Sequence, residues 1–209
     1  MRIGIVSPYS LTVPGGVQAQ VLGLARELRR RGHETRVLGP CDGPPPESFI
    51  TPLGDSLPLS ANGSVAPIAP DPSAALRTLR VLNDEQFDVI HLHEPLAPGP
   101  TSTALMVHRA PTVGTFHAAG TSASYRILQP ALTRLIKRID RKIVVSKDAL
   151  ALVQGHLGGD YVVLFNGVEL DEIRAVDPWP RPDGTDPIVF FCGRHEERKG
   201  LRVLVEAVR

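Results

Sequence analysis

"RIGIVSPYSLTVPGGVQAQVLGLARELRRRGHETRVL", residues 2–38, holds a complete strand–loop–helix–strand unit. Its opening, RIGIVS (2–7), is a short apolar run that reads as a buried parallel strand. Val17, Val21, Leu24, Ala25 and Leu28 then recur at helical spacing, with Gln18, Arg26, Arg29 and Arg30 between them. That pattern is an amphipathic helix. Arg29, Arg30 and Arg31 give its last turn the sign of charge a helix C-terminus favours, and Gly32 supplies a stop. ETRVL (34–38) is the next strand.

The same alternation continues along the chain. Residues 73–82 read as a short helix, 87–93 as a strand, 101–109 as a helix and 111–117 as a strand. One long amphipathic helix is expected over 124–139, a strand over 141–146, and a helix capped by Ser146 from 147 to about 154. YVVLFNGV (161–168) reads as a strand and turn. Residues 40–72 differ: nine prolines exclude helix through most of them. Pro178, Pro180 and Pro182 mark 169–186 as a linker, after which PIVFFC (187–192) reads as a new strand and 200–209 as a helix. The expected division is a first unit over 1–168, a linker over 169–186, and the first strand and helix of an incomplete second unit over 187–209. Strands alternating with helices define an α/β fold, a Rossmann-like parallel sheet with helices on both faces. Ligands in such sheets bind at the carboxyl ends of the strands, which singles out the loops 7–16, 93–98 and 117–125.

Composition narrows the function classes. The 209 residues carry a net charge of +1, which gives no argument for a nucleic-acid partner. No apolar run approaches the ~20 residues of a bilayer span, and the N-terminal stretch is too short and interrupted for a signal peptide. Cys41 and Cys192 are far apart and form no metal-type pair, which suits a cytosolic chain with free thiols.

Gly15 and Gly16 stand where Ser, Thr, Asp or Asn would ordinarily cap a helix. Two readings follow. A side chain there would hold a phosphate away from the helix N-terminus, so the pair suits an anion site and tolerates positive φ. Alternatively the pair makes a tight turn, with Pro14 at the second position and Gly15 at the third. The spacing does not match the dinucleotide pattern G-x-G-x-x-G. Farther on, GRHEERKG (193–200) places Arg194 and Lys199 between strand and helix, a pair of cations that suits a diphosphate. A solvated turn is the plainer reading of the same residues. His91 and His93 lie two apart on one strand and share a face. No third ligand accompanies them, so packed or hydrogen-bonded histidines are expected, and no metal. Glu94, at that strand's end, either orients a bound acceptor or His117, or opens a helix.

PYS, PGGV, GHE, HLHEP, TFH, VVS, FNGV and GR…ERKG occur along the whole chain in the order seen in retaining GT-B glycosyltransferases of family 4. Through RIGIVSPYS, VPGGVQ, NGSVA, FDVIHLHEPLAP and TFHA, the chain is most similar to actinobacterial phosphatidylinositol α-mannosyltransferases. The resemblance implies two Rossmann-like domains, the first mainly holding the acceptor and the second the nucleotide-sugar, GDP-mannose. Gly15, Gly16, Arg194 and Lys199 would face the donor diphosphate, and His117 the transferred sugar. Tyr9, Asn62 and Gly63 would line the acceptor pocket, with Glu94 beside them. It implies no cofactor or metal, and a cytoplasmic enzyme peripheral at the inner face of the plasma membrane. Arg134, Lys137, Arg138 and Arg141, spaced i, i+3, i+4 and i+7, form a candidate stripe for anionic phospholipid if the helix reaches 141.

Departures from the family pattern concern the acceptor. Ala61 replaces an aromatic residue, Pro67 and Ile68 replace arginine, and the following helix offers only Arg77 and Arg80. The loop Ala118-Ala119-Gly120-Thr121-Ser122 lacks the family's lysine. The family's acidic donor-gripping motif is absent from the 209 residues. The alternatives to a lipid mannosyltransferase are therefore an acceptor-binding domain inactive on its own and a transferase for a soluble acceptor. The strand at 187–192 is expected to fold back on the first unit or to self-associate through its open edge.

Overall fold

The computed structural model describes residues 1–61, 64–119, 123–178, 187–193 and 195–208. β1 (Arg2–Val6), α1 (Gly16–Arg30) and β2 (Glu34–Gly39) form the opening unit, the two strands pairing in parallel from Arg2↔Glu34 to Val6↔Leu38. Gly32 adopts a φ of 83°. The Gly32 N–H then donates to the Arg29 carbonyl (2.9 Å) and the His33 N–H to that of Leu28 (3.0 Å), which consumes carbonyls the helix end leaves free.

The proline-rich stretch holds three strands that its composition hides. β3 (Ile50–Pro52) pairs in parallel with the outer side of β2. β4 (Leu57–Ala61) and β5 (Ser64–Ile68) form a separate antiparallel ribbon in which Pro58 stands opposite Pro67. Proline is admitted to strands where its missing N–H faces an edge, and all three of these strands lie at edges. The exclusion of helix from this stretch holds up to Asp71. There α2 (Pro72–Glu85) starts with Asp71 accepting from the Ser73 and Ala74 N–H groups and proline at the first helical position.

β6 (Val89–His93), α3 (Pro100–Val107), β7 (Thr112–Phe116), β8 (Arg141–Val144), α6 (Lys147–Leu157) and β9 (Val162–Val163) follow, with two short helices, α4 (Ala123–Ile127) and α5 (Gln129–Ile136), between β7 and β8. The seven-stranded sheet has the order β3-β2-β1-β6-β7-β8-β9, parallel throughout. The chain builds outward from β1 in one direction and then from β6 in the other, so the sheet reverses between those two strands. Two apolar clusters form its core. Ile3, Ile5 and Val37 pack with Val21 and Ala25 of α1. Val6, Leu38, Leu92, Phe116 and Val144 pack with Leu105 of α3 and Leu152 and Val153 of α6. The Rossmann-like α/β architecture is thus as expected.

Three expectations are corrected. The single helix over 124–139 is broken at Leu128. Pro130, at the second position of α5, lacks the N–H that would bond back to the preceding turn, and its ring clashes with that turn's carbonyl. Because α5 ends at Ile136 and Arg141 opens β8, Arg134, Lys137, Arg138 and Arg141 do not form one helical stripe. All four are exposed, and Arg138 donates to the Met106 carbonyl. Finally, the described residues 187–193 form no strand; Phe190 is 80% exposed, and Ile188 and Val189 are also exposed, so this segment does not pack back on the sheet. Between the sheet and this segment lies a short helix, α7 (Leu170–Arg174), and after it α8 (Leu201–Ala207).

One close approach ties the ribbon region to the sheet. Gly99 has a φ of +107°, and a Cβ there would lie 2.3 Å from the Ala69 carbonyl oxygen. Gly99→Ala is expected to destabilise the fold by about 1–3 kcal/mol from the backbone conformation alone, with the clash added. Gly155→Ala, in an α6 position where a Cβ meets nothing, should stabilise by up to about 1 kcal/mol. Urea unfolding of the two variants should show these opposite signs.

Candidate functional site

The loops that leave the carboxyl ends of β1, β6 and β7 meet beside the reversal point of the sheet. The first is stitched in place by its own backbone. The Ser7 N–H donates to the Leu38 carbonyl, Ser10 to Pro67 and Leu11 to Pro40, each at 2.8 Å. The Ser7 hydroxyl bonds the Tyr9 backbone, and the Gln18 side-chain amide donates to the Ser10 carbonyl at 3.2 Å. Rigid flanks therefore hold the start of α1.

That start is open. Gly15 is the N-cap residue and supplies no side-chain cap, so the first N–H groups of α1 have no capping acceptor among the described residues. Gly15 has extended backbone (φ −174°), which overturns the tight-turn reading and removes any need for positive φ. Space is the constraint instead. A Cβ at Gly15 would lie 2.3 Å from Oε1 of Gln18, whose side chain folds back over the loop. A Cβ at Gly16 would meet nothing within 4 Å, because Gly16 faces open space. Gly16, Ala19, Gln20 and Gly23 of α1 line one side of an open cavity of about 1090 Å³, with Asn166 and Gly167 on the other. Arg26 spans its margin, bonding Glu47 at 2.9 Å and Glu169 at 3.1 Å.

The histidines form a cluster that does not line this cavity. His91 Nε2 lies 2.7 Å from the Thr115 hydroxyl, and His93 Nδ1 lies 2.9 Å from His117 Nε2. The His91 and His93 rings are 4.5 Å apart and those of His93 and His117 are stacked at 5.1 Å. Burial holds all three below the ordinary histidine range, with His91 and His117 lowered to about 4. All three are therefore neutral imidazoles near pH 7. The expectation of hydrogen-bonded histidines is met, and among the described residues no group of three or more His, Cys, Asp or Glu is placed to hold a metal ion.

Glu94 has left-handed backbone (φ 49°), well before α3, so it does not open a helix. Its Oε1 accepts from the backbone N–H groups of His117 (2.6 Å) and Ala118 (2.5 Å). Burial pushes the carboxyl up to about 7, against the pull of those two N–H donors. Burial and the charge of Glu94 together raise the Tyr9 phenol well above its ordinary value.

Of the residues singled out by sequence, the structure brings together Glu94 and His117, with Tyr9 close enough to feel the Glu94 charge, and puts Gly15 and Gly16 on the neighbouring strand's loop. Lys199 is exposed at the end of a 3-10 turn (Glu197–Lys199) in the C-terminal segment. Asn62, Gly63 and Arg194 lie outside the described residues. Sequence reasoning missed the contact of His93 with His117 and the Thr115 partner of His91. The signal was available in the register: His93 pairs with Thr115, so His117, two residues on, shares its side of the sheet.

Comparison with known proteins bears on the family and the fold. Residues 14–172 match Glycosyltransferase Family 4. The chain is 41% identical to a phosphatidyl-myo-inositol mannosyltransferase of Mycobacterium leprae and 37% identical to one of Propionibacterium freudenreichii, over its whole length and 56% and 58% of theirs. The chain thus spans little more than half the length of these relatives. Among solved structures, a glycosyltransferase from Rickettsia africae superposes with a TM-score of 0.52 over 85% of this chain and 46% of its own, at 16% identity. An α-glucosyltransferase bound to UDP and DNA gives 0.52 over 84% and 44%, at 14% identity. These likenesses show the GT-B type of fold. The chain belongs to glycosyltransferase family 4.

The ionisation of Glu94 is directly testable. Its folded pKa lies above its value in the unfolded chain, so the folded state holds the proton more tightly and stability from this group falls as pH rises from about 4.5 to about 7. Glu94→Gln keeps an acceptor for both N–H groups and removes the charge. Its stability relative to the parent should be nearly unchanged at pH 3.5, below the unfolded pKa, and higher by about 3 kcal/mol at pH 8, read by urea unfolding at both pH values.

Proposed function

We propose that the chain is the acceptor-side unit of a retaining mannosyltransferase that moves mannose from GDP-mannose to the inositol ring of phosphatidylinositol. The observation that carries the reading is the uncapped start of α1 at the sheet's reversal point, with Gly16 facing open space. Free N–H groups and the positive end of the helix dipole suit a diphosphate there. Lys199 and Arg194, from the C-terminal segment, are the cations that would complete its charge, so that no metal is required. The names of the relatives supply the sugar and the acceptor.

In this reading the bond between the sugar's anomeric carbon and the diphosphate oxygen breaks as the bond to an inositol hydroxyl forms on the same face. The hydroxyl proton passes to the departing phosphate oxygen. Stabilising the charge that develops on that oxygen is the main electrostatic task. His117 faces the sugar, and Tyr9, Asn62, Gly63 and Glu94 bound the acceptor side. Gly16→Val tests the diphosphate assignment. A Cβ at this position meets no atom of its surroundings within 4 Å, so the unfolding midpoint should hold. Transfer by the full-length gene product should fall by about 10²-fold or more, as expected when reacting groups are displaced by an ångström. Parental activity in that variant would remove the diphosphate from this helix.

The lipid assignment has its own test. No described helix is long and apolar enough to cross a membrane, and Arg134, Lys137 and Arg138 are exposed at the end of α5. At about 1 kcal/mol for each basic residue near an anionic surface, they give weak, salt-sensitive adsorption. The protein should co-sediment at low salt with vesicles containing phosphatidylinositol and not with phosphatidylcholine alone, and should lose this when the three are reversed to Glu. A parent protein that ignores anionic vesicles would point to a soluble acceptor.

A further inference from the structure

His93 is 2% exposed, and its Nε2 is buried with no hydrogen-bond partner among the described residues. Its Nδ1 sits 2.9 Å from His117 Nε2. Two neutral imidazoles that share one such contact must divide the roles: one nitrogen donates and the other accepts. In the first arrangement, His117 Nε2–H donates to His93 Nδ1. The His93 proton is then on Nε2, which leaves a buried N–H with no acceptor. In the second, His93 Nδ1–H donates to His117 Nε2, and only a lone pair on His93 Nε2 goes unmet. Orphaned buried N–H groups are the rarer defect in folded proteins. The second arrangement also settles the other ring. His117, accepting at Nε2, carries its own proton on Nδ1, and Nδ1 has no protein partner among the described residues.

We propose that His93 is a positioning residue that holds His117 in the Nδ1–H tautomer, so that His117 presents a neutral hydrogen-bond donor to the bound sugar. This rests on the reading of the site as a sugar-transfer site. It restricts what His117 can do there. Nε2 is occupied by His93 and Nδ1 already carries a proton, so the ring has no free lone pair with which to act as a base. It donates to a sugar oxygen and leaves the acceptor proton to the departing phosphate. The groups around the pair are consistent with neutral rings. His91 lies tilted against His93 and is itself bonded to the Thr115 hydroxyl, and Glu94 spends its carboxylate oxygen on the backbone N–H groups of His117 and Ala118, not on an imidazole.

Long-range ¹H–¹⁵N correlation spectra of the uniformly labelled chain read the tautomer directly, with no donor or acceptor present. The His117 signals are assigned by their loss in His117→Gln. In the parent at pH 7, His117 should appear as the Nδ1–H form. In His93→Leu, which removes the donor, that form should be lost in favour of Nε2–H or an exchanging mixture. An Nε2–H form in the parent would overturn the proposal, and so would an unchanged Nδ1–H form in His93→Leu. If His93→Leu does not fold, the parent spectrum alone still decides the sign. Because the measurement involves no transfer, its failure leaves the glycosyltransferase reading standing, whereas loss of that reading comes from the transfer and vesicle assays.

Discussion

Parallel pairing of β1 with β6 is the interaction on which the rest of the molecule depends. Ile3, Gly4, Ile5 and Val6 take Val89, Ile90, His91 and Leu92 as their partners, and the chain leaves the two strands toward opposite halves of the sheet. Loops leaving these two strands must diverge, which opens a crevice without any side chain being removed to make it. Gly4 leaves room for the Phe87 ring at the entry to β6, since a Cβ there would lie 2.8 Å from it. The crevice is therefore a consequence of strand order, and the residues at its rim inherit their positions from the ladder beneath them.

Polarity at that rim is managed by neutralisation. Three imidazoles and a carboxyl sit within a few residues of one another in the fold, and burial disfavours charge on all of them. The histidines lose their protons more readily and Glu94 keeps its own longer. The open helix start next door lies in a cavity lined by charges of both signs, Arg26, Arg30 and Arg174 with Glu27, Glu169 and Asp171, so its positive end adds to a mixed field.

Much of the fold was legible because the sheet is parallel and buried. Ile3 to Val6 and TVGTF are apolar or small on both faces, VIHLH is so on the face of Ile90 and Leu92, and the helices between them carry 3.6-residue patterns. The legible part of the site was its set of chemical residue types: His117, Glu94, Tyr9 and the glycine pair. What the pattern could not give were features decided by tertiary context. β3, β4 and β5 are short edge strands whose prolines face away from ladder bonds, and a local rule treats those prolines as breakers. The interruption at Leu128 is the converse, since an apolar period of sixteen residues outweighed one proline, Pro130. The Gly15 conformation was misjudged because dipeptide turn rules describe the backbone, whereas the constraint there came from the side chain of Gln18. His93 was expected to be packed or hydrogen-bonded, but its partner, His117, lies 24 positions away and was not foreseen.

The facing prolines of the ribbon have a consequence for how the molecule behaves among its own copies. Directly opposite residues of an antiparallel pair either exchange two hydrogen bonds or none. Pro58 and Pro67 have no N–H to exchange, so they occupy a non-bonded site and turn their nitrogens outward. On the β5 side the Ser10 N–H reaches the Pro67 carbonyl, so the loop after β1 covers that edge. On the β4 side no strand pairs with the edge among the described residues, and it is flanked by the exposed side chains of Leu57 and Leu59, a combination that would ordinarily recruit another strand. Pro58 leaves that edge without a donor at its middle. A neighbouring chain that tried to extend the ribbon would lose a rung there, so the ribbon terminates growth where its apolar surface would otherwise seed aggregation.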